Sequence, residues 1–204
     1  MKYNDKNNLA DQPLVEKALR GDPNALKAIV KNTEGLVAQI IFKMVSIKDD
    51  RKDIAQDVYL KTFHKLHSFR FQSKLSTWVA QIAYNTCLNY IEKKKLVLMD
   101  SNNNEKETDE EQLEMMGSKL PDISTNETEN FIFQKELSEI LNIEIEKLSP
   151  LYKTLITLYH NEELSYAEIV QITELPEGTI KNYLFRARKT LRDNLLQTYK
   201  KELL

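Results

Sequence analysis

The sequence is poor in the residues that stiffen, break or cross-link a chain. It holds one cysteine, Cys87, in 204 residues, which excludes an intramolecular disulfide and a cysteine-based metal cage. Only 4 glycines and 5 prolines interrupt it, and strand-like alternation of apolar and polar residues is absent. An all-α protein follows. No apolar run approaches membrane-spanning length, and the leading stretch MKYNDKNNLADQPLVEK lacks the hydrophobic core of a signal peptide. A cytoplasmic protein with no direct membrane insertion is expected. Also missing are a glycine-rich phosphate loop, a nucleophile–base pair and a metal-ligand cluster, since His64 and His67 have no carboxylate–His set around them. No catalytic residue, cofactor or metal is assigned, and an enzyme is disfavoured.

The formal net charge of −2 conceals a segregation. Residues 1–96 carry 17 Lys+Arg against 10 Asp+Glu, a net +7. Residues 97–130 carry 2 against 10, a net −8, and residues 131–204 carry 10 against 11, a net −1. The middle stretch is rich in Asn, Ser, Thr and Glu and has little to bury, so it reads as a flexible acidic linker. The chain divides into a basic helical domain (1–96), that linker (97–130) and a second helical domain (131–204).

What is present in the second domain is informative. In LSYAEIVQITELPEGTIKNYLFRARKTLRDNL, Ser165 and Glu168 form a capping box that opens one helix, running to about Ile172. Pro176 is placed to begin the next, because its missing N–H costs nothing in a first turn. At about 100° per residue, Ile180, Leu184, Ala187 and Leu191 share one side of this second helix. Lys181, Asn182, Phe185, Arg186, Lys189 and Arg192 share the other, with five basic and no acidic residues between Ile180 and Arg192. Water alone gives no reason for Phe185 in that arc. A ring among cations and an amide suits base methyls and sugars while the cations hold phosphates, so a helix-turn-helix with its recognition helix second is expected.

In the first domain a helix ends at Leu19, and Asp22-Pro23 caps a second that runs from about Asn24 to Phe42, with Gly35 as a candidate break. A third spans Asp53 to Leu66. Ile54, Ala55, Val58, Tyr59 and Leu66 form its apolar side. The other side is polar (Asp53, Gln56, Asp57, His64) and strands Leu60 among carboxylates. Leu60 admits two readings, a lone surface hydrophobe or part of a docking surface. A polar loop interrupted by Phe69 and Phe71 follows, then a fourth helix from Ser76 or Thr77 to about Lys95. Trp78, Gln81, Ile82, Asn85 and Asn89 share a stripe on it. Trp78 by itself suits a core; with the amides and the cations at Arg70, Lys74 and Lys93–Lys95 it also suits unstacked single-stranded bases.

Together, DIAQDVYLKTFHKLHSFRFQSKLSTWVAQIAYNTCLNYIEKKK and LSYAEIVQITELPEGTIKNYLFRARKTL resemble the extracytoplasmic-function (ECF) sigma factors of bacterial RNA polymerase, over almost the whole chain outside the linker. The resemblance implies two helical domains of the sigma region 2 and region 4 types. It implies that Asp53, Gln56 and Asp57, beside Leu60, bind the polymerase core. It implies that the loop Ser68–Leu75, with Phe69, Arg70, Ser73, Lys74 and Trp78, pockets a flipped base of the −10 promoter element near Asn85 and Asn89. Lys181, Asn182, Phe185 and Arg186, with Lys189, would read the −35 element. Core polymerase, promoter DNA and an inhibitory anti-sigma factor are the implied partners. A stand-alone helix-turn-helix regulator is the alternative, but it leaves the Asp53–Leu60 face and the Phe69–Trp78 loop unexplained. The chain departs from the family at Phe71-Gln72, where Gly-[DE] is usual, at Leu75, where an aromatic is usual, and at Asn182-Tyr183, in place of Ser-Arg. Helical phase puts Tyr183 towards its own domain rather than the DNA.

Overall fold

The computed structural model describes residues 5–99 and 138–202, with side chains over 11–95 and 138–197. Among the described residues there are eight α-helices and no strand. Helix α1 (Asp5–Leu19) starts earlier than its apolar pattern suggests and runs through Pro13. Behind that proline, Val15 and Ala18 are buried. The turn to α2 (Pro23–Met44) uses Gly21 at φ 84°, a left-handed conformation that glycine adopts without strain. Asp22 then caps α2 by accepting the Asn24 N–H at 2.8 Å. The break expected near Gly35 does not occur, because Ala25, Ile29, Thr33, Val37, Ile40, Ile41 and Met44 bury one continuous face. Tertiary burial carries the helix through its weakest residue.

Helix α3 (Asp50–Lys65) begins three residues before the expected Asp53, with Asp50 and Asp53 both in a first turn that favours negative charge. It ends in a tight turn, Leu66–Ser68. Helix α4 (Leu75–Met99) also starts earlier than expected, since the Leu75 N–H finds its partner on another helix, donating to Asp11 Oδ2 of α1 at 2.9 Å. It continues through Met99, three residues past the boundary read at 96. The remainder of the stretch read as an acidic linker lies outside the described residues.

The second unit holds α5 (138–146), α6 (Pro150–Ile156), α7 (Tyr166–Thr173) and α8 (Glu177–Glu202). Helix α6 widens into a π-helical turn over Thr157–Asn161, which the sequence pattern did not signal. The capping box of α7 is present in full: the Glu168 N–H donates to Ser165 Oγ at 3.3 Å, and the Ser165 N–H donates to Glu168 Oε2 at 3.0 Å. Glu174, at φ 60°, ends that helix in a left-handed C-cap that glycine usually fills. Ile180, Leu184, Ala187 and Leu191 are the buried stripe of α8, as their phase requires. With Leu155, Leu158, Ile169 and Ile172 they make up the core of this unit.

The two units lie against each other. Helix α4 packs on α2 and α3 within its own unit and also on α7 of the other, while α2 meets α6. Glu146 is held between Lys43 of α2 and Lys153 of α6, at 3.2 Å from the latter. Burial opposes the charge on Glu146, but the hydrogen bonds from Lys43 and Lys153 outweigh it and hold the carboxyl below its ordinary value.

Candidate nucleic-acid interface

On α3, Ile54, Val58 and Thr62 turn inward, which forces Asp53, Gln56, Asp57 and Leu60 outward. Leu60 is 63% exposed, the highest among the exposed large hydrophobics of the described residues. Asp57 is partnered by Lys61 at 2.7 Å. Beside this face, between α3 and α4, a cleft of about 370 Å³ is lined by Asp50, Asp53, Asp57, Lys61, Asn89, Tyr90 and Lys93, among others. The Tyr90 hydroxyl donates to Asp50, and that bond, with help from Lys94, holds the Asp50 carboxyl below the usual range.

A second cleft, of about 320 Å³, lies at the loop between α3 and α4. Phe69, Arg70, Ser73 and Trp78 line it together with Ser68, Gln72 and Gln81, while Lys74 is not among its lining residues. Phe69 is 7% exposed, so it forms the floor rather than a free platform. Its ring centroid lies 4.8 Å from Phe71 and 5.2 Å from Trp78. Trp78 is half-buried: it packs against the core and also lines the cleft. Phe71 sits at φ 56°, in the left-handed region that favours the glycine usual here. The backbone conformation is adopted despite the larger residue, whose ring packs at a tilted angle of 56° against Phe69.

Not every predicted −10 residue gathers at this cleft. Asn85 lies one turn beyond Gln81 on α4 and lines neither cleft, and Asn89 belongs to the cleft beside α3. Gln81 was visible in the sequence as a member of the Trp78 stripe, but its place in the cleft was not. The remaining walls come from Val170 and Gln171 of α7 and from Glu174, its C-cap. No sequence pattern signalled that these residues meet the first domain.

On α8, Lys181 and Lys189 are exposed and Asn182, Phe185 and Arg186 are half-buried. Lys181 bonds Glu177 at 2.6 Å and lies 5.2 Å from the centre of the Tyr166 ring. The Glu177 hydrogen bond raises its pKa, so it stays cationic. Arg188 lies over the Tyr159 ring at 5.3 Å, and its Nε donates to His160 Nε2 at 3.2 Å. Burial first, and the Arg188 charge second, depress the His160 pKa and keep the ring neutral as an acceptor. These tyrosines hold two of the cations in place, a role sequence reading missed. The Asn182 Oδ1 is buried with no hydrogen-bond partner among the described residues, so reading a base through this amide requires the side chain to swing outward. Tyr183 turns towards its own domain, as phase predicted, with its ring 5.6 Å from Tyr152.

Cys87 is fully buried, and that burial pushes its thiol up to about 12, which leaves it an inert core residue. Among the described residues there is no group of three or more His, Cys, Asp or Glu side chains placed to hold a metal, and no helix is long and apolar enough to cross a membrane.

The fold and these surfaces define an all-α DNA-binding protein that carries a helix-turn-helix beside a second helical unit. Residues 29–97 match the Sigma-70 region 2 family, and residues 138–191 match Sigma-70, region 4. Over 194 residues the chain is 33% identical to the ECF RNA polymerase sigma-E factor of Haemophilus influenzae, covering 92% of this chain and 96% of that one. It is 34% identical over 191 residues to the ECF RNA polymerase sigma-E factor of Escherichia coli K12, covering 93% and 95%. In fold it is similar to the sigma factor RpoE solved in complex with the anti-sigma factor NepR from Bartonella quintana, with a TM-score of 0.57, 22% identity, and 83% and 95% of the two chains covered. CnrH, solved with the cytosolic domain of CnrY, gives a TM-score of 0.58 at 18% identity, over 91% and 97%. The chain belongs to the ECF family of RNA polymerase sigma factors. It is a sigma factor, a transcription initiation factor that directs polymerase to promoters.

Proposed function

We propose that this sigma factor works entirely by binding, with three surfaces in named roles. Asp53, Gln56, Asp57 and Leu60 dock on the polymerase core. The cleft over Phe69, with Arg70, Ser73, Lys74 and Trp78, takes an unstacked base of the non-template −10 strand, and Asn85 and Asn89 lie along that strand. Lys181, Asn182, Phe185, Arg186 and Lys189 read the −35 element in the major groove. The protein works in the cytoplasm, and an anti-sigma factor restrains it. Residues 1–96 and 131–204 act as separate units on either side of residues 97–130.

The observation that carries this reading is the pairing, in one chain, of an aromatic-floored cleft rimmed by Arg70 and Ser73 with a recognition helix whose outer arc holds Phe185 among cations. Rings accept unstacked bases of any sequence while cations hold the backbone, and a basic helix in a helix-turn-helix reads duplex edges. A stand-alone regulator needs only the second. The test is reconstitution with bacterial core polymerase. The wild type is expected to co-elute with core and start transcription from a defined promoter. Asp53→Lys/Asp57→Lys is expected to lose co-elution while keeping its helix content. Duplex binding by the isolated chain with no co-elution would favour the stand-alone regulator. Loss of folding in the double variant would make the α3 face structural.

A further inference from the structure

A row of rings and cations lies beside the outer arc of α8. Arg188 follows Lys181 by seven residues, two turns, so the two share one side of the helix and stand about 10 Å apart along its axis. Arg188 is exposed, yet it is held from two sides by neighbours in the π-helical turn. Its guanidinium carbon lies 5.3 Å from the centre of the Tyr159 ring, and its Nε donates to His160 Nε2 at 3.2 Å. The His160 ring meets Tyr159 edge-on at 4.9 Å. Tyr159 in turn lies 5.0 Å from the Tyr166 ring, over which the Lys181 amine sits at 5.2 Å.

An exposed arginine has water for a partner, so holding it from two sides adds little to stability. Holding it matters to an oxyanion, because a fork that is already oriented loses less rotamer freedom on binding. A guanidinium has five N–H donors, so the His160 bond leaves others for the paired oxygens of a phosphate. The tyrosine hydroxyls can donate to the same anion. A hydrogen bond with Tyr159 first, and burial second, raise the Tyr166 pKa, so that hydroxyl keeps its proton. Among the described residues no carboxylate pairs with Arg188, whereas Lys181 is bonded to Glu177. In a helix-turn-helix the N-terminal residues of the recognition helix meet base edges, and Arg188 lies about three turns from the start of α8. We infer that Arg188 is a further −35 contact, made to a DNA phosphate and not to a base, and that Tyr159 and His160 are the residues that position it. This inference rests on α8 being the helix that reads the −35 element.

The test uses the full chain in holoenzyme reconstituted with bacterial core polymerase, on promoter duplexes carrying single methylphosphonates through the −35 element. Each substitution removes one phosphate charge. Wild-type affinity is expected to fall about tenfold where the removed charge is the one that Arg188 meets. In Arg188→Ala that substitution is expected to cost nothing further. Arg188→Ala is also expected to weaken matched and mismatched −35 sequences alike and to lower the salt slope by about one unit. Arg188→Lys keeps the charge and the slope but lacks the fork, so it recovers only part of the affinity. Because Arg188 is exposed, both replacements are expected to keep the wild-type circular dichroism and thermal midpoint.

Positioning is read with a double-mutant cycle. His160→Ala is expected to weaken promoter binding about threefold in the wild type and not at all in Arg188→Ala, because its effect passes through the arginine. His160→Gln, whose amide oxygen can accept the Nε–H, is expected to restore the loss. Tyr159→Phe keeps the ring beneath the guanidinium and is expected to bind better than Tyr159→Leu. An equal effect of His160→Ala in both backgrounds overturns the positioning role. Methylphosphonate effects identical in wild type and Arg188→Ala overturn the phosphate contact, as does a changed base preference in Arg188→Ala. These outcomes leave the −35 reading standing. That reading fails separately, and the inference with it, if Lys181→Ala and Phe185→Ala holoenzymes select the same −35 sequences as the wild type with the same affinity.

Discussion

Leu184 and Phe185 are adjacent on α8, yet the fold buries the first and leaves the second on the outer arc, and replacing each in turn tests packing against the proposed recognition. Leu184 is fully buried. Truncation to alanine removes the transfer energy of three carbons and leaves a cavity among the other core residues of the unit, a loss of about 3–4 kcal/mol. For a chain of this size that lowers the thermal midpoint by about 10 °C. Phe185 is half-buried on the outer arc, so its truncation gives up about 1 kcal/mol of stability or less. Its effect belongs to DNA: discrimination at one or two −35 base pairs falls, while the salt dependence stays fixed because no charge changes. Arg186→Ala serves as the contrast. It costs about 1–3 kcal/mol at one base pair if it reads guanine, or lowers the salt slope by about one unit if it holds phosphate. The assays are circular-dichroism melting of the free proteins and selection of −35 sequences from a randomised library by reconstituted holoenzyme at several salt concentrations. Altered base preference in Leu184→Ala at normal stability, with unfolding of Phe185→Ala, would refute the assignment of the two sides of α8.

Two further outcomes test the loop and the contact between units. At Phe71, alanine keeps the left-handed strain and loses the ring, whereas glycine loses the ring but removes the strain, so Phe71→Ala is expected to be less stable than Phe71→Gly by about 1 kcal/mol in urea melts; equal stability of the two would show that the loop carries no strain. The carboxyls of Glu146 and Glu168 are both held below their ordinary value of 4.5 by lysines across or beside the interface, despite opposing burial. Separation lets each take up a proton more readily, so their contribution is complete above about pH 5 and is lost as pH falls below that. Energy transfer between the units is therefore expected to fall on acidification before helix content does; a distance that holds until the helices unfold would exclude these carboxylates as the clasp.

The sequence by itself determined the class, the helix-turn-helix and the sides of its helices. These depend on local rules: the Ser165–Glu168 box, the Pro176 start, and a 3.6-residue period that sends Leu184 in and Phe185 out. The stranding of Leu60 was legible for the same reason, since Ile54 and Val58 fix the phase of α3. Helix ends were less legible where distant partners set them. Leu75 starts α4 because Asp11 of α1 accepts its N–H, and Gly35 does not break α2 because the buried face continues past it. Only the tertiary structure decided that Phe69 is a floor rather than a platform, that Asn89 keeps company with Asp53 and Asp57, and that the end of α7 supplies a wall of the cleft over Phe69. Those contacts join residues as far apart as Gln81 and Glu174, 93 positions along the chain. Periodicity tells which side of a helix faces inward; it carries no term for which other helix that side, or the opposite one, will meet.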